Sequence, residues 1–425
     1  MDIVVSNGPV DGVFTAPPSK SYTHRALFCA SLALGKSSVR FPLWSRDTEA
    51  SKNALEKLGI EIDTKPNLWL VNSQGLVDSS FEIFCQESGT TLRFATAISS
   101  LVKGETRLTG APSLTKRPIG PLVECLRQLG VDCWSSNGYP PILVKSTGKI
   151  AGGDVSIKGD ISSQFVSAVL LIAPYADKPL TLKLSTPLES KPYVSMTIET
   201  QKSYGIYVHA DDDMCSFEIK RQSYKPSRFT VEGDWSSSAY LLAAGALAGR
   251  VTVKGLRFDS VQGDKKILEI LKAMGAKTRE TSKGITIEQS NIESIESDLT
   301  DCPDLFPVVA ALCSVAKGVS VLKGLGRLRF KESDRLTAMA DGLKRMGVSI
   351  SIKDGVAEIK GGMVHGCIIN PENDHRIAMA FAVLGLAAEG ETRILGSECV
   401  DKSFPEFWNV LEFLNANIRR SRNEQ

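Results

Sequence analysis

Ile377-Ala378-Met379-Ala380-Phe381-Ala382-Val383-Leu384-Gly385-Leu386-Ala387-Ala388 is the longest apolar run in the chain, and from Ile377 to Ala388 it contains no polar side chain. A helix with no polar face has to be buried on every side. Helices of the same small, apolar kind are expected over Ala26–Leu34 and Ala239–Ala248, each followed by a glycine, Gly35 or Gly249, and then a β-branched run such as Val251-Thr252-Val253. Helix-stopping glycine followed by β-branched residues marks a passage from helix to strand. The expected architecture is therefore α/β with helices inside and sheets outside, the reverse of a β/α barrel.

Around these runs the chain repeats itself. Leu58-Gly59-Ile60, Leu129-Gly130-Val131, Tyr204-Gly205-Ile206, Met274-Gly275-Ala276, Met346-Gly347-Val348 and Leu414-Asn415-Ala416 recur about every 70 residues, each ending a second, amphipathic helix such as Lys266–Met274. Alternating segments such as Leu68-Trp69-Leu70-Val71 and Phe81-Glu82-Ile83-Phe84 complete the unit. Each copy reads as strand, helix, strand, helix, strand, strand, which is too rich in β-structure for a helical solenoid. A length of 425 residues exceeds what one core usually serves, so six βαβαββ copies fit two domains of three.

Fifty basic against forty-eight acidic residues leave a net charge of +2, too even for a broad nucleic-acid-binding field, so no nucleic-acid partner is expected. The nine cysteines are dispersed without a C-x-x-C pair, which suits reduced thiols in a cytoplasmic protein and speaks against structural zinc. The run Ile377–Ala388 is too short to span a bilayer, and the N-terminus lacks the pattern of a targeting segment. Disorder is expected only in the polar tail Arg419–Gln425.

What differs among the copies is the start of each helix. The first-helix entrances are Ser19-Lys20-Ser21, Ser88-Gly89-Thr90, Ser162-Ser163-Gln164, Asp234-Trp235-Ser236-Ser237, Asp301-Cys302-Pro303-Asp304 and Asn373-Asp374-His375-Arg376. Asp234, Ser236 and Asp301 read as plain caps. Lys20, Gln164, His375 and Arg376 do not, because a cation at a helix N-terminus is disfavoured unless an anion is present. The second-helix entrances repeat the pattern: Arg46-Asp47, Lys116-Arg117-Pro118, Ser190-Lys191-Pro192-Tyr193, Gly263-Asp264-Lys265, Lys331-Glu332-Ser333-Asp334-Arg335 and Lys402-Ser403-Phe404-Pro405. Arginine and lysine together suit ligands carrying carboxylate and phosphate. Asp304 and Glu332 within that cationic set are the acid/base candidates, and Gly89 lets a ligand approach the backbone closely. No Walker A and no G-x-G-x-x-G pattern is present.

Pro18-Ser19-Lys20-Ser21-x-x-x-Arg25-Ala26, Ser88-Gly89-Thr90-x-x-Arg93, Arg117-Pro118-Ile119-Gly120, Gly159-Asp160-x-Ser162-Ser163-Gln164, Ser190-Lys191-Pro192-Tyr193, Glu232-Gly233-Asp234-x-Ser236-Ser237, Lys331-Glu332-Ser333-Asp334-Arg335-Leu336, Asn373-Asp374-His375-Arg376 and Lys402-Ser403-Phe404-Pro405 closely resemble, in order and over essentially the whole chain, the 5-enolpyruvylshikimate-3-phosphate synthase family. The resemblance implies transfer of the enolpyruvyl group of phosphoenolpyruvate to the 5-hydroxyl of shikimate 3-phosphate, with release of phosphate, on the way to chorismate and the aromatic amino acids. It implies two inverted α/β domains, 15–228 and 1–14 plus 229–425, with crossings near Phe14–Pro17 and Ser227–Glu232 and an active site in the cleft between them. It further implies a cytoplasmic monomer with small-molecule substrates, no metal, no cofactor and no membrane partner, and a family known as the target of glyphosate.

Carried over by resemblance, the catalytic residues are Asp304, Glu332 and Lys20. Shikimate 3-phosphate would meet Lys20, Ser21, Arg25, Ser162, Ser163, Gln164, Ser190, Tyr193, Asp304 and Lys331. Phosphoenolpyruvate would meet Lys20, Gly89, Arg117, Gln164, Arg335, His375, Arg376 and Lys402. Two departures stand out: Cys85-Gln86-Glu87-Ser88-Gly89-Thr90-Thr91-Leu92 replaces the commoner Asn-Ala-Gly-Thr-Ala loop and adds the acid Glu87, and Arg327 stands where many members have asparagine. The sister enolpyruvyl transferases acting on UDP-N-acetylglucosamine have asparagine at the position of Ser21 and a cysteine in the loop that here reads Ala111-Pro112-Ser113-Leu114-Thr115-Lys116. A silent anion-binding module on the same scaffold would have no need of Asp304 and Glu332 among its cations.

Overall fold

The computed structural model describes residues 1–421. The chain divides into two compact units, Pro18–Glu232 and Met1–Pro17 with Gly233 onward. In the first, the inner helices are Lys20–Leu32, Gly89–Ser99 and Ser163–Ile172. In the second they are Trp235–Ala248, Phe306–Cys313 and His375–Gly385. Every residue of the three helices of the second unit is buried, as their composition requires. Among the described residues, six four-stranded sheets cover the helices.

One copy shows the pattern: strand Glu296–Asp298, helix Phe306–Cys313, strand Val319–Lys323, helix Arg335–Arg345, strands Ser349–Lys353 and Val356–Lys360. The first strand runs parallel to the second, and the fourth lies antiparallel between second and third. Along Val356–Lys360, Ala357 and Ile359 enter the core while Glu358 and Lys360 face water, the two-residue alternation of a half-buried strand.

The recurring Gly or Asn signature is a helix stop. Gly59, Gly130, Gly205, Gly275, Gly347 and Asn415 all adopt positive φ, between 62° and 91°. In each copy the next residue's N–H reaches back five residues, as in Ile60 to Leu55 at 3.1 Å and Ala416 to Leu411 at 2.9 Å. This is the Schellman closure, which satisfies carbonyls that a helix end leaves open.

The crossings between units end at Pro17 and Glu232, at the far edges of the stretches Phe14–Pro17 and Ser227–Glu232. Val10–Thr15 stays paired, in parallel, with Gly249–Lys254 through Thr15, and Arg228–Thr230 with Ser38–Arg40 through Thr230. Each strand holds its partner to the last residue, so the chain leaves its unit after Pro17 and after Glu232. Each crossing strand thus completes the sheet of the unit it is leaving, although it precedes in sequence a helix of the other. Asp2–Ser6 likewise fills the last copy's sheet, lying antiparallel between Glu391–Ile394 and Ile418–Ser421. Arg419, Arg420 and Ser421, expected to be disordered, are therefore strand residues, because Asp2–Ser6 offers them a partner; 422–425 lie outside the described residues.

All nine cysteines are free thiols and seven are buried. Burial pushes Cys125 and Cys399 up to about 12, which keeps them protonated and unreactive. Among the described residues, no helix is long and apolar enough to cross a membrane.

Helix Arg335–Arg345 rests on the inner helix through Gly342, where a Cβ would come within 2.2 Å of the Phe381 ring. Gly342→Ala gains up to about 1 kcal/mol of helix propensity but overpacks a buried contact at a cost of about 1–3 kcal/mol. We expect a net loss of about 1 kcal/mol or more, read as a lower urea midpoint with an unchanged m-value.

Candidate active site

In the unit Pro18–Glu232 the entrances hold several local hydrogen-bonded groups. Ser19 caps the first inner helix, accepting from the Tyr22 N–H, and the following Lys20 reaches Asp47 Oδ2 at 2.8 Å. A lysine at a helix start opposes the dipole, and the carboxylate beside it offsets that cost. Arg25, one turn on, is buried: its Nε donates to Thr197 Oγ1 at 2.8 Å, Nη1 to the Ser21 carbonyl at 2.9 Å and Nη2 to the Tyr193 carbonyl at 2.8 Å. Burial pulls this guanidinium down to about 10, still charged at neutral pH.

Ser88 caps the second inner helix and takes the Thr91 N–H at 3.2 Å. Thr91, Ser51 and His24 continue a buried hydroxyl chain at 2.7 and 2.8 Å. Burial, then the charges of Lys20 and Arg25, holds His24 well below its ordinary value, so it is neutral. The missing side chain at Gly89 is what lets two guanidiniums close on the helix start: a Cβ there would lie 2.4 Å from Arg93 Nη1 and 2.7 Å from Arg117 Nη1. Arg93 donates to Gln164 Oε1 at 2.9 Å and to the Pro118 carbonyl at 3.2 Å, and Gln164 Nε2 donates to Thr90 Oγ1 at 2.9 Å. Ser162 caps the third inner helix ahead of Ser163 and Gln164. Ser190 caps Lys191–Ser203 with left-handed backbone, φ 55°.

The second unit gathers the carboxylates. Asp374 caps the helix His375–Gly385, accepting from the Arg376 N–H at 2.9 Å, and its Oδ2 also takes Arg335 Nε at 2.8 Å. Arg335, 1 % exposed, extends Nη1 to Asp304 Oδ1 at 2.8 Å and Nη2 to Glu332 Oε2 at 2.6 Å. Asp304 in turn meets Lys331 at 3.1 Å and Arg376 Nη2 at 3.1 Å. Burial opposes the Asp304 charge, yet Arg376, Lys331 and Arg335 outweigh it and hold the carboxyl well below the usual range. Lys331 is pulled the other way: burial, helped by Arg327 and Arg335 and opposed by Asp304, brings its ammonium down to about 8. His375 is buried at the helix start, and Lys402 donates to the Asn373 carbonyl at 2.6 Å. Glu372 and Asn373, just ahead of the cap, have positive φ of 54° and 57°. Left-handed backbone at non-glycine residues collects at functional sites.

Asp304, Lys331, Glu332, Arg335 and Arg376 thus form one ionic cluster, while in the other unit Arg25 is bonded to Ser21 and Tyr193, Gln164 to Arg93 and Thr90, and Lys20 to Asp47. None of Arg25, Arg117, Arg335, Arg376 or Lys402 is a solvated surface cation, since each is at most 8 % exposed. Asp374, Arg93 and Asp47 stand inside the quoted motifs with no expected role, yet each bonds a site residue. Two of the three expected plain caps are different: Asp301 is exposed and Cys302 caps the turn Pro303–Leu305, while Ser236 is the second residue of its helix, capped by Asp234. Glu87 accepts from Ser113 Oγ at 2.6 Å, and Arg327 donates to the Thr300 carbonyl at 3.1 Å. Among the described residues, no group of three or more His, Cys, Asp or Glu side chains is arranged to hold a metal ion.

A family model described as EPSP synthase (3-phosphoshikimate 1-carboxyvinyltransferase) matches residues 4–411. The 3-phosphoshikimate 1-carboxyvinyltransferase of Methanocaldococcus jannaschii is 42% identical over 425 residues, 98% of each chain. That of Methanococcus maripaludis strain C5 is 40% identical over 426 residues, 98% of this chain and 99% of its own. The solved EPSP synthase of Acinetobacter baumannii superimposes with a TM-score of 0.82 at 26% identity, over 99% of this chain and 100% of the other. The chain belongs to the EPSP synthase (3-phosphoshikimate 1-carboxyvinyltransferase) family.

Proposed function

We propose that the polar clusters of the two units divide the work of the family's reaction. This chain is an enzyme that transfers the enolpyruvyl group of phosphoenolpyruvate to the 5-hydroxyl of shikimate 3-phosphate and releases phosphate. The observation that carries the division is the Asp304, Arg335 and Glu332 cluster, two carboxylates fixed on one guanidinium. Ser21, Arg25, Ser162, Ser163, Gln164, Ser190 and Tyr193 bind shikimate 3-phosphate, with Lys20, Lys331 and Asp304 completing its shell. Gly89, Arg117, Gln164, Arg335, His375, Arg376, Lys402 and Lys20 bind phosphoenolpyruvate.

Asp304 takes the proton of the 5-hydroxyl as its oxygen bonds to C2 of phosphoenolpyruvate, while Glu332, with Lys20, supplies a proton to the methylene. The same pair removes a methyl proton when the C–O bond to phosphate breaks, restoring the double bond. A carboxylate held as low as Asp304 is ionised at every working pH but is a weak base. Its proton affinity rises when substrate anions draw on Arg376, Lys331 and Arg335, the charges that hold it down. Base strength thus appears together with bound substrates. Preorganised cations stabilise the anionic tetrahedral intermediate, and the chemistry asks for no cofactor. The cytoplasm is the setting that its free, mostly buried cysteines favour.

Purified enzyme is expected to release inorganic phosphate from shikimate 3-phosphate plus phosphoenolpyruvate without added metal. Absence of release would sink the reading, and release with UDP-N-acetylglucosamine as acceptor would replace it. Glu332→Gln, which keeps shape and removes the proton, should lower kcat by about 10²–10⁴. Gly89→Ala drives a methyl group into Arg93 and Arg117. It should raise KM for phosphoenolpyruvate about tenfold or more and leave that for shikimate 3-phosphate within about twofold, a difference of roughly 1.4 kcal/mol. Equal rises in both would place Gly89 outside the phosphoenolpyruvate shell.

A further inference from the structure

Behind Arg376 lies a pair of residues to which the reaction, as described, gives no part. Asp264 belongs to the turn Gly263–Lys265 and is 3 % exposed. Its Oδ2 accepts the hydroxyl proton of Ser236, the second residue of helix Trp235–Ala248. A serine hydroxyl has one proton. With that proton committed to Asp264, the Ser236 oxygen presents its lone pairs to Arg376 Nη2 at 3.0 Å. The same Nη2 lies 3.1 Å from Asp304 Oδ2 as an ion pair. The hydrogen bond to Ser236 and the ion pair to Asp304 hold this end of the guanidinium from two sides.

We propose that Asp264 is a positioning residue, which orients Ser236 and through it fixes Arg376 for the carboxylate of phosphoenolpyruvate. The inference rests on the phosphoenolpyruvate-binding role given to Arg376 above.

A purely structural reason for Asp264 fails on its own geometry. Its Oδ1 is buried and has no hydrogen-bond partner among the described residues, an arrangement that costs stability when the group is charged. Burial, then the Asp304 charge, pushes the carboxyl up to about 6; Arg376 and Ser236 pull against that shift, and Asp234 adds to it. Cys302 also lies within its field, and Tyr240 faces Arg376 from the same helix as Ser236. An acid raised on folding binds its proton more tightly in the native state. Stability is therefore lost as pH rises from the ordinary value of 3.8 through about 6 and stays lost above it. The charge is kept at a cost to the fold, and its one close partner points at Arg376.

Asp264→Asn keeps the shape and removes the charge. At about pH 8 it should raise KM for phosphoenolpyruvate about tenfold, the weight of one charge-assisted hydrogen bond, with KM for shikimate 3-phosphate within about twofold. Its Tm at that pH should be equal to or above that of the wild type. The wild-type to variant ratio of kcat/KM for phosphoenolpyruvate should fall from about ten toward one between about pH 8 and pH 5, as Asp264 becomes neutral in the wild type. Ser236→Ala should reproduce the KM effect, and the double variant should be no worse than Ser236→Ala alone, since both act through one contact. Equal kinetics of Asp264→Asn and wild type at about pH 8, or a ratio independent of pH, overturns the proposal, as does a fall in Tm with both KM values rising together. A wild-type enzyme that releases no phosphate overturns the parent reading and this one with it; turnover by the wild type with any of the other failures overturns this one alone.

Discussion

A helix without a polar face can expose nothing but its ends, and the rest of this molecule follows from that constraint. The inner helices Trp235–Ala248, Phe306–Cys313 and His375–Gly385 have every residue buried, so the sheets have to lie outside them and turn one face to water. Polar chemistry is then confined to the termini. The six second helices end identically, in Schellman closures at Gly59, Gly130, Gly205, Gly275, Gly347 and Asn415. Diversity is left to the starts, where unpaired N–H groups favour anions.

Electrostatics turns those starts into a site at some risk to the fold. A helix N-terminus contributes about 0.3–1 kcal/mol toward a negative charge and the same against a positive one. Lys20 and Arg376 are placed against that preference, and each is held by a carboxylate, Asp47 or Asp304. Arg335 goes further, with Asp304, Glu332 and Asp374 on its three nitrogens. A buried pair of this kind gains little over an apolar core, while removal of one partner costs about 3–5 kcal/mol. Such pairs are better explained by what they orient than by the stability they add.

Local signals made much of this legible in the sequence. The apolar run Ile377–Ala388 gave helices inside, the Gly or Asn signatures gave the copies, and the cations at helix entrances gave the anionic substrates. What was hidden depends on residues far apart in the chain. Nothing near Arg419–Ser421 announces a strand, because its partner is Asp2–Ser6. Nothing near Val10–Thr15 says that it pairs with Gly249–Lys254. Serine is favoured as a cap, which is all that the local sequence says of Ser236, yet its partner Arg376 lies 140 residues away. The side-chain types at the site were readable from single motifs; which nitrogen meets which oxygen was not.

Asp374 shows why fold and site cannot be separated here. As a cap it closes the N–H of Arg376, and as a counter-ion it holds Nε of Arg335, 39 residues away. The same carboxylate sets where an inner helix begins and where the guanidinium between Asp304 and Glu332 points. A displacement of the helix start therefore moves Arg376 with its own backbone and Arg335 through the shared carboxylate, in one rigid step. Packing density in the helix core resists that step, so the precision of the ionic cluster is inherited from the apolar packing of the inner helices.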